Sequence, residues 1–238
     1  AQQQPELFDA FRVSLGALSM ITTVTLQLIP AYHLRTVEAP AGLDEVLEHW
    51  EDLNTQYDHF EVFWFGHDAK VQTKRSQRLH CHHHTPSVWR RAHHWVTQEL
   101  VTNDGLAIIS ELGRRHQRLV PALNRTATRV WGSSDVTSQW SSGFTFARRV
   151  RFNEMEYALP FEIIPDVVRE LRTQFFRKNL GSAFPLEIRA AAPETGWLAT
   201  NHNRATGYIA VHQYFRQDFR EYFAQIEPIF VLQEEDHT

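Results

Sequence analysis

The stretch FPLEIRAAA, residues 184–192, places an acid and a base two positions apart inside an apolar run. Side chains alternate between the two faces of a β-strand, so Glu187 and Arg189 share one face while Leu186 and Ile188 share the other. Two charges on one strand face are most often an ordinary ion pair on a solvated surface. They can also form part of a binding site, because a carboxylate accepts hydrogen bonds and a guanidinium donates them.

A histidine in a second apolar stretch, GYIAVHQYF at residues 207–215, adds a third chemical group. In a strand, His212 lies on the face that carries Tyr208, Ala210 and Tyr214. A strand histidine among aromatic residues is usually a structural residue held by hydrogen bonds. If its face adjoins the face of the acid and the base, then an imidazole, a carboxylate and a guanidinium meet in one place, as a hydroxylated substrate requires.

Two further motifs have both a functional and an ordinary interpretation. The run HCHHH at residues 80–84 contains side chains that bind zinc or copper, but no paired cysteine or His-x-x-x-His set accompanies it, so we assign no metal site. Gly16, in the stretch SLGALSMIT at residues 14–22, could let the backbone approach a phosphate group. A single glycine before a strand is more often simply a turn.

These residues must be positioned by strands and helices that alternate along the chain. The apolar patterns predict strands at residues 23–28, 59–66, 70–77, 142–160, 184–192 and 206–215, and helices at residues 41–57, 164–179 and 217–230, with two more helices between residues 87 and 125. The two strands at 59–66 and 70–77 are close enough in sequence to form a hairpin. This order of elements predicts the α+β fold class, with a sheet covered by helices.

The composition is that of a folded protein without a strong electrostatic footprint. The chain has 238 residues, of which 42% are hydrophobic, and a formal net charge of −4. This balance predicts no nucleic-acid partner. Cys81 is the only cysteine, so an internal disulfide is excluded. There is no apolar run of about 18 residues and no signal-peptide pattern at the start, so we expect a soluble or peripheral protein.

Four segments together resemble a known group of enzymes. ELFDAFRVSLGALSMITTVTLQLIP, residues 6–30, resembles the closing segment of the FAD-binding domain in the vanillyl-alcohol oxidase superfamily. FNEMEYALP, FPLEIRAAA and TGYIAVHQYF resemble, in that order, the substrate domain of the aldonolactone oxidases, and the match spans residues 6–230. The resemblance implies that residues 1–33 end an FAD-binding domain with its last strand. It also implies that residues 34–238 form a substrate domain with a mixed, largely antiparallel sheet.

The activity implied by the resemblance is that of a flavoenzyme, in which hydride passes from a carbinol carbon of a sugar derivative to FAD. The expected substrate is a sugar-1,4-lactone of the D-arabinono or L-gulono type, and the expected product resembles ascorbate. Oxygen or another electron carrier would be the acceptor. Alditol oxidase, acting on a polyol, is the alternative activity. The expected location is cytoplasmic or peripherally membrane-associated.

The resemblance also implies roles for single residues on the substrate side. Glu187 and Arg189 match the Glu-x-Arg pair of the family, which binds substrate hydroxyls and holds the charge pattern of the site. His212 matches a histidine of the alditol oxidases that could serve as a polar contact or as a base. These three residues are therefore the expected catalytic set.

On the cofactor side, Gly16, Ala17 and Ile21 match the turn whose backbone lies against FAD. By the same resemblance, most of the FAD-binding domain would lie before Ala1, and a lysine-bearing segment of the relatives has no counterpart in the closing residues VLQEEDHT. We therefore expect no turnover by the chain alone. The alternatives are a catalytically incomplete fragment that acts as a binding subunit, and a metal-binding protein built on residues 80–84.

Overall fold

The architecture is built on one β-sheet. The computed structural model describes residues 5–79, 103–144, 149–178 and 181–235. Within these ranges, seven strands form the sheet, with the bounds β1 His33–Gly42, β2 His59–Trp64, β3 Lys70–Leu79, β4 Ser134–Gln139, β5 Phe152–Pro160, β6 Leu186–Ala191 and β7 Thr206–Tyr214.

The strands follow the order β4-β1-β3-β2-β6-β7-β5, and each neighbouring pair is antiparallel. The predicted α+β class with a largely antiparallel sheet is therefore confirmed. The strands β2 and β3 form the predicted hairpin. The strands β6 and β7 are direct neighbours, so the two stretches that carry the candidate site residues lie side by side.

Helices precede, interrupt and follow the strands. Their bounds are α1 Pro5–Arg12, α2 Leu43–Glu48, α3 Trp50–Gln56, α4 Leu106–Arg115, α5 Val120–Trp131, α6 Trp140–Phe144, α7 Ile164–Lys178 and α8 Arg220–Glu235. The single helix predicted at residues 41–57 is present as α2 and α3, which are divided at His49. The predicted helices at residues 164–179 and 217–230 correspond to α7 and α8.

The core lies between one face of the sheet and helices α2, α3, α7 and α8. Strand alternation places Ile188 and Ile209 on this face, and both side chains are buried. The stripe of α7 contributes Leu171 and Phe175, and the ring of Phe175 contacts that of Trp64 on β2 at 5.6 Å. The apolar sides of the helices and of the strands thus cover the same core from opposite sides.

Close packing between the sheet and α7 depends on a glycine. Gly207 lies on β7, where that strand passes the start of α7, and a Cβ atom at this position would overlap the side chain of Ile164. Because Ile164 is itself fully buried, it has little room to move aside. The glycine therefore sets how closely the helix approaches the strand.

One predicted strand is absent. Residues 23–28 lie outside every helix and strand, and Val24, Leu26 and Leu28 are exposed. Alternation of apolar residues produces a half-buried strand only where a neighbouring strand takes up the backbone hydrogen bonds and a core covers the apolar face. The described residues place neither beside this segment.

Two strands of the sheet were not predicted. β1 begins at His33, where the sequence suggested only a domain boundary, and it contains Pro40, which normally argues against a strand. The structure resolves this conflict, because β4 pairs with β1 only over His33–Glu38. Pro40 lies beyond that pairing and needs no N–H donor on that side. β4 itself is short and polar, and it lies at the edge of the sheet.

Other sequence predictions are confirmed in part or lie outside the described residues. Of the helices predicted between residues 87 and 125, the structure describes α4 and the start of α5. The strand predicted at residues 142–160 is present from Phe152, whereas Trp140–Phe144 is helical. The histidine run at residues 80–84 lies outside the described ranges. Among the helices that are described, none is both long and apolar enough to cross a membrane.

Candidate functional site

The face of the sheet opposite the core carries many polar and charged side chains, and we call it the polar face. One row of directly opposed residues crosses five strands, namely Glu38 on β1, Lys74 on β3, Glu61 on β2, Arg189 on β6 and Tyr208 on β7. Charged neighbours of opposite sign alternate along the first four positions. This alternation favours the row, because opposite charges stabilise a cross-strand pair.

The next rows contain the remaining predicted site residues. Glu187 on β6 opposes Ala210 on β7, and Ala210 in turn opposes Glu156 on β5. One row further along, His212 opposes Glu154. Glu187, Arg189 and His212 therefore lie on one face of two adjacent strands. This is the arrangement that the sequence suggested only on condition that the two strands were neighbours.

Arg189 reaches over the neighbouring strand to a carboxylate. Its Nη2 donates a hydrogen bond of 2.9 Å to Oε1 of Glu156, and its guanidinium lies over the ring of Tyr208 at 4.7 Å. Burial works to lower the pKa of Arg189, but the hydrogen bond and the charges of Glu156 and Glu187 raise it above its usual value. The guanidinium is a permanent cation that interacts with the two acids Glu156 and Glu187.

His212 is almost fully buried, and its ring is oriented by the backbone. Its Nδ1 lies 2.8 Å from the carbonyl oxygen of Pro185, which can only accept, so Nδ1 carries a hydrogen. In the neutral imidazole, Nε2 is then the acceptor, and it lies 3.7 Å from Oε2 of Glu154. The ring of Phe152 meets the imidazole edge-on at 4.8 Å. Nε2 is thus the ring nitrogen of His212 that is directed toward Glu154.

A buried network holds the loop before β6 in place against β7. The Ser182 hydroxyl lies 2.7 Å from the carbonyl oxygen of His212 and 3.1 Å from Oε1 of Gln213, and it accepts a hydrogen bond from the Phe184 N–H. Asn124 on α5 donates to the carbonyl oxygen of Ser182 at 3.1 Å. Because this loop carries the Pro185 carbonyl group, the network also fixes the orientation of the imidazole.

The centre of the site is a small side chain surrounded by larger ones. Ala210 is flanked along β7 by Tyr208 and His212, and across the sheet by Glu187 and Glu156. Only a methyl group projects from the central position, and the neighbouring positions on the same face carry polar side chains. Carboxylates, a guanidinium, an imidazole and a phenol together can donate to and accept from several hydroxyl groups of one small molecule.

The predicted cofactor residues lie in a segment outside the sheet. Gly16 has a φ of +74° in a turn where the N–H of Ala17 donates to the carbonyl oxygen of Ser14 at 2.9 Å, and the side chain of Ile21 is exposed. The turn is present, and its backbone is in the conformation that favours glycine. Gly16, Ala17 and Ile21 belong to no strand of the sheet, whereas Glu187, Arg189 and His212 lie on β6 and β7.

Sequence reasoning missed the acids that accompany the predicted residues. Glu154 and Glu156 lie two positions apart in FNEMEYALP and so share a strand face, by the same alternation that identified the Glu-x-Arg pair. That signal was present in the sequence. Glu61 and Lys74 were missed because their pairing across the hairpin depends on register. Within the described ranges, no group of three or more His, Cys, Asp or Glu side chains is arranged to hold a metal ion.

Comparison with known proteins gives related sequences. Residues 24–234 match the family model described as D-arabinono-1,4-lactone oxidase. Over 220 residues the chain is 37% identical to L-gulono-1,4-lactone dehydrogenase of Mycobacterium tuberculosis, covering 92% of this chain and 50% of that protein. It is 25% identical to L-gulonolactone oxidase of Mus musculus, covering 88% of this chain and 47% of that protein. The chain therefore spans about half the length of the curated relatives that it matches.

Two solved structures resemble the fold. A solvent-stable cholesterol oxidase aligns with a TM-score of 0.57 at 14% sequence identity, covering 85% of this chain and 46% of that one. Cholesterol oxidase from B. sterolicum aligns with a TM-score of 0.53 at 11% identity, covering 84% and 46%. At these identities the likeness establishes the shared fold and nothing about the substrate.

Proposed function

This chain belongs to the D-arabinono-1,4-lactone oxidase family, and we propose that it forms the substrate-binding part of an enzyme that oxidises a CH–OH group of a sugar-1,4-lactone. The observation that carries the proposal is that Glu187, Arg189 and His212 occupy neighbouring positions around Ala210 on one face of β6 and β7. The relatives named for gulonolactone and arabinonolactone support the substrate class.

Each of the three residues has a task that fits its surroundings. Arg189 donates hydrogen bonds to substrate hydroxyl or carbonyl oxygens, and Glu187 accepts hydrogen bonds from substrate hydroxyl groups. His212 takes the hydroxyl proton at Nε2, because Nδ1 already carries a hydrogen that is donated to Pro185. Loss of that proton allows the carbinol carbon to release its hydride, which leaves a ketone.

The hydride requires an acceptor, and we propose FAD, in line with the flavoenzyme resemblance. When bound, FAD supplies an electron sink for the hydride. The polar face fits the substrate side of such a group, because Arg189 is a fixed cation that favours the negative charge that gathers on a reduced flavin. The residues proposed to contact the cofactor are Gly16, Ala17 and Ile21, whose exposed turn leaves its backbone accessible.

The domain division follows from the same proposal. Residues 1–33 would end an FAD-binding domain, and residues 34–238 would form the substrate domain. Supporting this division, every strand of the sheet lies after residue 32, and the segment before it exposes apolar side chains such as Met20 and Leu28. Oxygen or another electron carrier would then re-oxidise the flavin.

The test is the loss of the Arg189 guanidinium. In a complete, flavin-loaded enzyme that contains this chain, Arg189→Ala removes charge-assisted hydrogen bonds to the substrate and should lower kcat/KM for L-gulono-1,4-lactone or D-arabinono-1,4-lactone on the order of a hundredfold. The matched control is Arg35→Ala, because Arg35 lies on the opposite face of β1 from Glu38 and pairs with Asp135 at the sheet edge. Unchanged kinetics in Arg189→Ala would contradict the proposal.

A further inference from the structure

The hydrogen bond between Arg189 and Glu156 spans a strand that belongs to neither residue. Arg189 is on β6 and Glu156 is on β5, while β7 lies between these strands in the sheet. Neighbouring strands are about 5 Å apart, so the two backbones are separated by about 10 Å. The arginine side chain must therefore extend across β7 to reach the carboxylate. An arginine without such a partner could instead turn toward solvent.

Two contacts hold this extended conformation. The ring of Tyr208 on β7 lies beneath the guanidinium at 4.7 Å, and the Tyr208 hydroxyl is itself held 2.8 Å from Oγ1 of Thr200. Glu156 then fixes the far end of the side chain at 2.9 Å. The supporting ring and the terminal acid together determine where the guanidinium lies above the sheet.

The upper side of the pair remains accessible. The exposed fractions of the side chains are 44% for Arg189 and 30% for Glu156. A guanidinium has five N–H donors, and the hydrogen bond to Glu156 uses one of them. An arginine in this position can therefore meet a substrate from above while it is still held from the side.

An ordinary surface ion pair is the competing explanation, since such pairs contribute little to stability. The choice of hydrogen-bond partner supports a more specific role for this pair. Glu187 is only two positions from Arg189 on the same strand and acts on it through its charge, yet the hydrogen bond goes to the more distant Glu156. The guanidinium is consequently drawn toward β5, where Glu156 lies opposite Ala210.

We propose that Glu156 is a positioning residue, which holds Arg189 across β7 in the orientation that binds the substrate. The inference rests on the proposed function, because it requires that Arg189 contacts the substrate. Glu156 acts through the guanidinium and does not itself contact the reacting carbon. A displaced guanidinium would lose the alignment on which the binding of the reacting conformation depends.

The experiment is a set of variants of the complete, flavin-loaded enzyme that contains this chain, assayed with L-gulono-1,4-lactone. Glu156→Ala should lower kcat/KM by about tenfold to a hundredfold, because a misplaced donor costs up to about a hundredfold in rate. Glu156→Gln retains an acceptor oxygen of the same reach and should lose less than about tenfold, since a neutral acceptor forms a weaker hydrogen bond. Asp135→Ala is the matched control, because this acid also pairs with an arginine but lies at the sheet edge; it should leave kcat/KM unchanged.

A double-mutant cycle separates positioning from other roles. In an Arg189→Ala background, Glu156→Ala should change kcat/KM by less than about twofold, because its partner is already gone. A further large loss in that background would mean that Glu156 acts on the substrate or on the fold directly, and it would overturn the positioning role. The urea midpoint of Glu156→Ala should match that of the control variant.

The two proposals fail in different ways. Unchanged kinetics in Arg189→Ala would overturn the proposed function and the positioning role together. A large loss in Arg189→Ala combined with normal kinetics in Glu156→Ala would overturn the positioning role alone. Losses in both single variants without a further loss in the double variant would support both proposals.

Discussion

The two faces of the sheet are formed by the same strands, yet different forces hold their side chains in place. On β6, Leu186 and Ile188 face the helices and are buried, whereas Glu187 and Arg189 between and beyond them face away from the core. The packed face is stabilised by apolar burial, which has no preferred direction. The polar face is held by hydrogen bonds and ion pairs, which do have direction.

This difference indicates a division of labour within single strands. Apolar burial is the dominant favourable contribution to folding. Directional contacts supply less stability, but they fix the positions of atoms, which is what a binding site requires. Substitutions on the two faces should therefore have different consequences, even at adjacent positions.

The largest effect on stability is expected on the packed face. Ile188→Ala removes a fully buried side chain from the core and should lower the free energy of unfolding by about 2–5 kcal/mol. Urea unfolding followed by tryptophan fluorescence measures this change. The adjacent substitution Glu187→Gln is the matched control and should cost less than about 1 kcal/mol. Equal losses in the two variants would show that the faces do not differ as described.

A smaller loss of stability is expected for an ion pair in a partly buried region of the polar face. Lys74 pairs with Glu61 at 3.0 Å, with exposed fractions of 14% and 19%. Lys74 also opposes Glu38 on β1, so it lies between two acids. Lys74→Met would leave Glu61 without this partner in a partly buried setting, and should lower the free energy of unfolding by about 1–3 kcal/mol.

The control for Lys74 is an ion pair at the edge of the sheet. Arg35 and Asp135 are 53% and 52% exposed, and they pair at 2.7 Å. Because exposed pairs are screened by water, Arg35→Met should leave the urea midpoint close to that of the parent protein in the same experiment. If Arg35→Met proved as costly as Lys74→Met, burial would not explain the contribution of the Lys74 pair.

The smallest effect concerns a titratable group that contacts the packed side. His67 is buried, and its ring meets that of Phe175 edge-on at 5.7 Å. Burial, together with the charge of Arg125, lowers the pKa of His67 below its usual value of 6.5. As the pH falls below about 6.5, the unfolded chain binds a proton that the folded chain resists, so the free energy of unfolding should fall.

This pH dependence is measured by comparing urea midpoints at about pH 7.5 and about pH 5.5. In His67→Gln the midpoint should fall less over that interval than in the parent protein, because one contributing group is gone. His59, whose pKa is also lowered by burial, remains as a second contribution. An identical fall in both proteins would contradict the assignment to His67.

Local patterns in the sequence predicted the parts of the fold that depend on nearby residues. Strand β6, the β2–β3 hairpin and helix α7 have clear periodicity, and all three are confirmed. Strand β1 was missed because Pro40 is acceptable only where β4 has already ended. The alternation at residues 23–28 predicted a strand that is absent, since a pattern does not reveal whether a neighbouring strand is present.

The candidate site was predictable only as separate pieces. Alternation gave the faces of Glu187, Arg189 and His212, but their meeting depended on β6 and β7 being neighbours, which is a long-range property. The partner of Arg189 could not be predicted from the sequence for the same reason. Glu156 becomes its neighbour only because β5 lies on the far side of β7. Roles at the site remain predictions that the kinetic experiments address.

The row of charges that crosses the polar face also has a consequence for the kinetics of folding. Strands β1 to β4 come from the first part of the chain and β5 to β7 from the later part, and the single β2–β6 pairing joins these two groups of the described strands. Glu61 and Arg189 face each other across this junction. Pairings between distant parts of a chain require closure of a long loop, and they form slowly compared with hairpins. The row of charges, unlike the candidate site on β5 to β7, is therefore complete only after this long-range pairing has formed.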